Sequence, residues 1–183
     1  MDEAVVHLDN FRSESARAVI IRAAKGSKVF SSGHDVRELP LKGRDPLGYN
    51  DPLEVMIRAI RNFPAPVICM IEGSVWGGAC ELCLACDLIV CEAGVTFAAT
   101  PAKLGVPYNT TGLLNIRNAL GRGLVREMLF TAKPIPVSRL YARGVVIRIC
   151  VCAGIGNTTY TVAAAIATNS PSAMSRLNSR MAS

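Results

Sequence analysis

Short, nearly unbroken apolar runs, set between glycine- and proline-rich turns, dominate the pattern of this chain. Residues 18–22, 66–71 and 87–91 contain almost no polar residue alternating with the apolar ones, so each reads as a strand covered on both faces. Residues 96–98 predict a short fourth strand and residues 145–151 a further one. A helical period takes over between them. Leu53, Met56, Ile57 and Ile60 recur on one face of a helix opened by Asp51 as N-cap and Pro52 in the first turn. Helices are also expected over residues 2–11, 80–86, 113–120, 123–131, 138–143 and 172–180, with Gly121 breaking one pair and Gly144 ending another. Residues 39–52 read as a surface loop able to act as a lid. Strands alternating with helices predict an α/β fold with parallel sheets and right-handed crossovers.

Composition narrows the function only slightly. Half of the 183 residues are hydrophobic, enough for one sizeable core. No apolar run approaches the ~18–20 residues that cross a bilayer, so no membrane partner is expected. The opening Met1-Asp2-Glu3 carries no leader pattern, and the ending Arg180-Met181-Ala182-Ser183 is not a peroxisomal tripeptide, which predicts a cytoplasmic protein. A net charge of +6 favours an anionic partner, yet the basic residues are scattered and only 5% of residues are aromatic. That excludes a nucleic-acid grip and leaves a polyphosphate ligand. Seven cysteines without secretory features predict free thiols. Cys80, Cys83, Cys86 and Cys91 approach the spacing of a cluster-binding run, but lack its last interval and its proline. On a helix the first three drift around the axis, so buried thiols are expected and no metal.

Candidate chemistry gathers in two glycine turns. Glu72-Gly73-Ser74-Val75-Trp76-Gly77-Gly78-Ala79-Cys80-Glu81 joins an apolar strand to a helix start. Adjacent glycines admit a ligand close to the backbone, and the first amides of a helix have no intrahelical acceptor. Such a turn holds an anion, or stabilises one that develops in a reaction. The same glycines also suit a plain tight connection, and the stretch alone leaves both readings open. The second turn, Val29-Phe30-Ser31-Ser32-Gly33-His34-Asp35-Val36, also follows an apolar strand.

Together these turns resemble the enoyl-CoA hydratase/isomerase (crotonase) superfamily, over residues 1–144 and more weakly to the end. The resemblance implies a ββα spiral, incomplete here, with residues 145–183 as a partial C-terminal strand and short helical segment. Fuller members have further strands before and helices after this stretch, so the chain is expected to be truncated at both ends. The resemblance also implies an acyl-CoA thioester as substrate, with no cofactor beyond the coenzyme A it carries, and a homotrimer or hexamer. It implies that the backbone amides of His34 and Gly78 form an oxyanion hole, with Ser32, Gly33, Asp35, Val36, Trp76, Gly77 and Thr100 binding substrate.

Hydratases of this superfamily use two glutamates. The first matches Glu81; the second falls at Pro101, which can neither take nor give a proton. The segment Thr100-Pro101-Ala102-Lys103-Leu104-Gly105-Val106-Pro107-Tyr108-Asn109 is instead similar to the methylmalonyl-CoA-decarboxylating branch of the family, in which Tyr108 and Thr100 would line the acyl site. The implied catalytic set is His34, Gly78, Tyr108 and Glu81. The alternatives are a hydratase or isomerase working through Glu81 alone, and an inactive fragment that binds coenzyme A. Residue by residue, plainer roles stand beside these. His34 can be a structural loop residue, Glu81 a first-turn acid favouring the helix dipole, and Tyr108 and Trp76 ordinary packing.

Overall fold

The computed structural model describes residues 2–35, 37–39, 47–151 and 153–181. Two four-stranded sheets carry the fold. The first contains β1 (Val19–Arg22), β3 (Val67–Ile71), β5 (Leu88–Glu92) and β8 (Arg148–Cys150), in that spatial order and all parallel. The second contains β2 (Val29–Ser31), β4 (Ser74–Trp76), β6 (Thr96–Ala98) and β7 (Ile135–Pro136); only β7 runs antiparallel. Its Pro136 lies on the edge strand, where a missing N–H costs no ladder bond. Each of the first three turns of the chain lays one strand in each sheet, giving the ββα spiral implied by the two glycine turns.

β3 shows why its sequence reads as a continuous apolar run. All five residues are buried, and alternate ones face different layers. Val67, Cys69 and Ile71 join the core that holds Val75 and Phe97 of the second sheet. Ile68 and Met70 face a smaller cluster with Val90, Ile155 and Ile166. That second face is covered by α7 (Ile155–Ala167), a helix the sequence reading left out. Its Asn-Thr-Thr-Tyr-Thr-Val start is poor in helix formers, and burial of Ile155, Thr159 and Ile166 against the sheet decides the conformation.

The remaining helices are α1 (Asp2–Ser13), α2 (Pro52–Arg61), α3 (Gly78–Leu84), α4 (Pro101–Leu104), α5 (Thr110–Thr131), α6 (Val137–Ala142) and α8 (Pro171–Met181). Asp51 caps α2 as expected, its side chain accepting from the Leu53 N–H at 2.9 Å. Gly121, at φ 75° and ψ 162°, breaks the helical path inside α5. Two expectations need correction. α3 begins at Gly78, two residues before the predicted start, so Gly78 is its first residue. β2 and β4, read as turn, are strands of three residues each, too short and too close to glycine for a period to show. β8 extends the first sheet and α7 covers it, so residues beyond 144 complete the same layers.

The cysteines sit inside these layers. Cys69, Cys80, Cys83, Cys86, Cys91 and Cys150 are buried free thiols. Burial pushes Cys80 and Cys91 up to about 12 and Cys83 up to about 11. Among the described residues no group of three His, Cys, Asp or Glu is arranged to hold a metal ion. No described helix is long and apolar enough to cross a membrane.

Candidate active site

The two glycine turns meet. Gly33 adopts φ +82°, and a Cβ there would stand 2.7 Å from the Gly78 nitrogen, 2.8 Å from the Trp76 oxygen and 3.2 Å from the Ala79 nitrogen. Only a residue without a side chain lets the loop after β2 lie on the first turn of α3. Ser31 fixes that loop by accepting the Gly33 N–H at 3.2 Å. On the other side, the Gly77 N–H donates to the Ala98 carbonyl at 2.8 Å, tying the turn to β6. Gly77 is the N-cap at φ 57°, and Gly78 follows as the first helical residue, whose N–H has no acceptor within the helix. Leu53 of α2 packs beneath Gly78, where a Cβ would come within 2.6 Å of its Cδ2.

A cavity of about 200 Å³ opens over this junction. Its wall includes Ser32, His34, Trp76, Gly77, Gly78, Thr100 and Tyr108 from the expected set. Leu39, Leu47, Pro101, Leu104, Val106, Pro107 and Asn109 complete it. Gly33 supports the wall from behind through its contact with Gly78. Asp35 is not part of the wall: it binds Arg37, which holds its carboxyl below the ordinary value. Val36 lies outside the described residues. Among the described residues the wall carries no carboxylate and no Lys or Arg. It is largely apolar, with a few polar atoms set into it.

Two of those polar side chains hold a buried atom without a hydrogen-bond partner, Tyr108 Oη and His34 Nδ1. Burial first, and then the charge of Glu81, push the Tyr108 hydroxyl well above its ordinary value, so it stays a neutral donor. His34 presents its other nitrogen, Nε2, to Asp51 Oδ2 at 3.4 Å. Thr100 is the N-cap of the short α4 but makes no side-chain capping bond.

Glu81 lies behind this wall. It is 1% exposed and accepts a hydrogen bond from Asn115 Nδ2 at 2.9 Å. Burial pushes its carboxyl up to about 7; the Asn115 bond opposes the rise and the charge of Glu54 adds to it. Gly112, in the first turn of α5, makes room for the arrangement, since a Cβ there would run into Glu81 Oε2, Asn109 Oδ1 and, at 2.8 Å, Tyr108 Cε1. Asn109 caps α5 by accepting the Gly112 N–H at 3.0 Å and donates to the buried Glu54. The loop carrying Tyr108 is thus anchored between α2, α3 and α5.

The sequence reading missed Asp51 as a partner of His34, gave Asn109 no role of its own, and missed Glu54 and Asn115 altogether. Asp51 had a visible signal, a helix cap, but its second contact spans 17 positions. The Glu54–Asn109 and Glu81–Asn115 pairs, 55 and 34 residues apart, leave no local trace.

Comparison with known proteins identifies the family. The family model described as enoyl-CoA hydratase/isomerase matches residues 1–183. Methylmalonyl-CoA decarboxylase of Escherichia coli K12 is 48% identical over 145 residues, 79% of this chain and 56% of that protein. Carnitinyl-CoA dehydratase of the same strain is 30% identical over 173 residues, 92% of this chain and 64% of the relative. The chain therefore spans less than two thirds of the length of these curated relatives. A crystal structure of methylmalonyl-CoA decarboxylase complexed with 2S-carboxypropyl CoA superimposes with a TM-score of 0.94 at 41% identity, covering 99% of this chain and 69% of that one. A second, in complex with 2-nitronate-propionyl-CoA, gives 0.93 at 41% identity, covering 99% and 70%.

Proposed function

The chain belongs to the enoyl-CoA hydratase/isomerase family, and on that premise we propose that it decarboxylates methylmalonyl-CoA to propionyl-CoA and carbon dioxide. The observation that carries this reading is the wall of the cavity: the Gly33 and Gly78 turns meet there, Tyr108 faces it, and no described carboxylate does. Breaking the bond to the carboxylate leaves an electron pair that delocalises onto the thioester oxygen as an enolate. Backbone N–H groups of His34 and Gly78 aimed at that oxygen stabilise the transition state more than the ground state. Losing one such donor typically costs about 3–4 kcal/mol of barrier.

The wall supplies the other half of the argument. A substrate carboxylate placed against apolar side chains, with no Lys or Arg among the described wall residues, is poorly solvated, whereas carbon dioxide is neutral. Tyr108 Oη then donates one hydrogen bond and turns the breaking bond perpendicular to the thioester plane, where its electrons reach the carbonyl. Because the leaving group is neutral, the reaction needs no cofactor beyond the coenzyme A of the substrate. The similarity to methylmalonyl-CoA decarboxylase supports the choice of acyl group. Assembly into trimers or pairs of trimers belongs to the same reading.

A second reading, hydration or isomerisation of an enoyl-CoA, is favoured by Glu81, whose carboxyl titrates near neutrality at about 7. Its position behind Tyr108 and the absence of a partner carboxylate at Pro101 weigh against it. Parallel assays separate the two. Turnover of methylmalonyl-CoA with none of crotonyl-CoA supports decarboxylation. Turnover of crotonyl-CoA that disappears in Glu81→Gln would transfer the assignment to hydration.

A further inference from the structure

An enolate must take a proton before it becomes product, and the reading above names no donor. Resting on that reading, we propose that the imidazole of His34 is the acid that protonates the α-carbon, in addition to the part its backbone amide plays. His34 lines the cavity. Its Nε2 faces Asp51 Oδ2 at 3.4 Å, while Nδ1 is buried and has no partner in the protein. A buried ring nitrogen costs stability when it makes no hydrogen bond, so a ring held this way has a task for the free nitrogen once substrate is present.

Asp51 is suited to hold the ring. Its Oδ1 accepts the Leu53 N–H at the start of α2, which fixes the carboxylate and leaves Oδ2 for the imidazole. With Nε2 engaged by Asp51, Nδ1 is the ring nitrogen left to exchange a proton with substrate. The charged groups around the ring are Asp51 from α2 and, next along the chain, Asp35, which is itself engaged by Arg37.

Other acids of the site are placed less well. Glu81 lies behind the wall and is held by Asn115, and Tyr108 Oη is kept from ionising by burial. The step balances simply. The carbon–carbon bond breaks, carbon dioxide leaves, and its bonding pair becomes the enolate. The α-carbon then takes the Nδ1 proton, and the neutral imidazole is reprotonated by solvent.

Protonation by a fixed group has a stereochemical signature. In heavy water, methylmalonyl-CoA yields propionyl-CoA carrying one deuterium at the α-carbon, and a donor on one wall delivers it to one face. The wild-type protein is expected to give one deuterated enantiomer in large excess. His34→Gln keeps the backbone amide and the bulk but has no acidic proton; it should still release carbon dioxide and give a near-equal mixture. Asp51→Asn keeps the helix cap but loses the carboxylate that holds the ring, and should show partial loss of face selection.

A folded His34→Gln protein that retains the wild-type enantiomeric excess would overturn the proposal, and so would a wild-type product that is already an equal mixture. Where His34→Gln fails to fold, Asp51→Asn carries the test, and a folded Asp51→Asn protein with the full wild-type excess would overturn the proposal. No propionyl-CoA at all from the folded wild type would instead overturn the decarboxylase reading on which the proposal rests.

Discussion

Gly33 and Gly26 form a pair in which backbone strain and packing can be separated. Both have positive φ, +82° and +79°, so alanine at either position meets the same left-handed penalty. That penalty is roughly 1–2 kcal/mol, lessened by the smaller entropy of the unfolded alanine chain. A Cβ at position 26 meets nothing within 4 Å. At position 33 it meets three backbone atoms, the nearest at 2.7 Å, and none of them can rotate away as a side chain would. Restoring ordinary contact moves the loop off α3 by about 0.7 Å, and a displacement near 1 Å in a site can cost about 10²-fold in rate. Gly26→Ala should therefore lose about 1 kcal/mol of stability and keep its turnover per folded molecule. Gly33→Ala should lose at least as much stability and about 10²-fold in methylmalonyl-CoA turnover. Thermal melts with steady-state assays on both proteins check this. A folded Gly33→Ala enzyme within about threefold of wild type would refute the claim that contact between the turns sets the site.

Three further outcomes follow from the buried polar groups. Burial raises the Glu81 carboxyl from 4.5 to about 7, so the folded protein binds that proton more tightly than the unfolded chain does. The resulting stability is full below about pH 4.5 and is lost as pH rises through about 7, amounting to about 3 kcal/mol. Glu81→Gln, which has no proton to lose, should be spared that decline, as denaturant titrations at pH 5 and pH 8 would show on the order of this difference. Tyr108→Phe removes a buried hydroxyl without a partner and should be neutral or stabilising by about 1 kcal/mol, while turnover falls about 10²-fold; melting curves and turnover should move in opposite directions. Asn109→Ala removes the cap of α5 and leaves Glu54 without that hydrogen bond, costing about 2–4 kcal/mol in chemical denaturation.

Much of the framework was legible because it is local. The strands of the first sheet are buried on both faces and show as apolar runs, and α2 carries its period and its cap within a dozen residues. Both glycine turns and Pro101 were also visible as words in the chain. β2, β4 and α7 were not, because two are too short for periodicity and the third has a helix-poor start stabilised by packing. At the site, wall residues such as Trp76, Thr100 and Tyr108 came from matching motifs, but their supports did not. Whether Glu81 faces the cavity or lies behind it depends on Gly112 and Asn115, brought in by a helix that starts 29 positions later. The His34–Asp51 pair likewise forms only once the loop after β2 has settled on α2 and α3.

The most direct test of the central claim follows the thioester mass when purified protein is incubated with methylmalonyl-CoA, beside a Gly78→Pro variant. Proline suits the first position of a helix and removes one N–H, but its ring requires Leu53 Cδ2 to move aside. Circular dichroism and a thermal melt therefore establish that the variant is folded before its rate is read. The account predicts conversion to propionyl-CoA by the wild type and a loss of about 10²–10³ in rate for the variant. An unchanged thioester with the folded wild type, or equal rates for the two proteins, would contradict it.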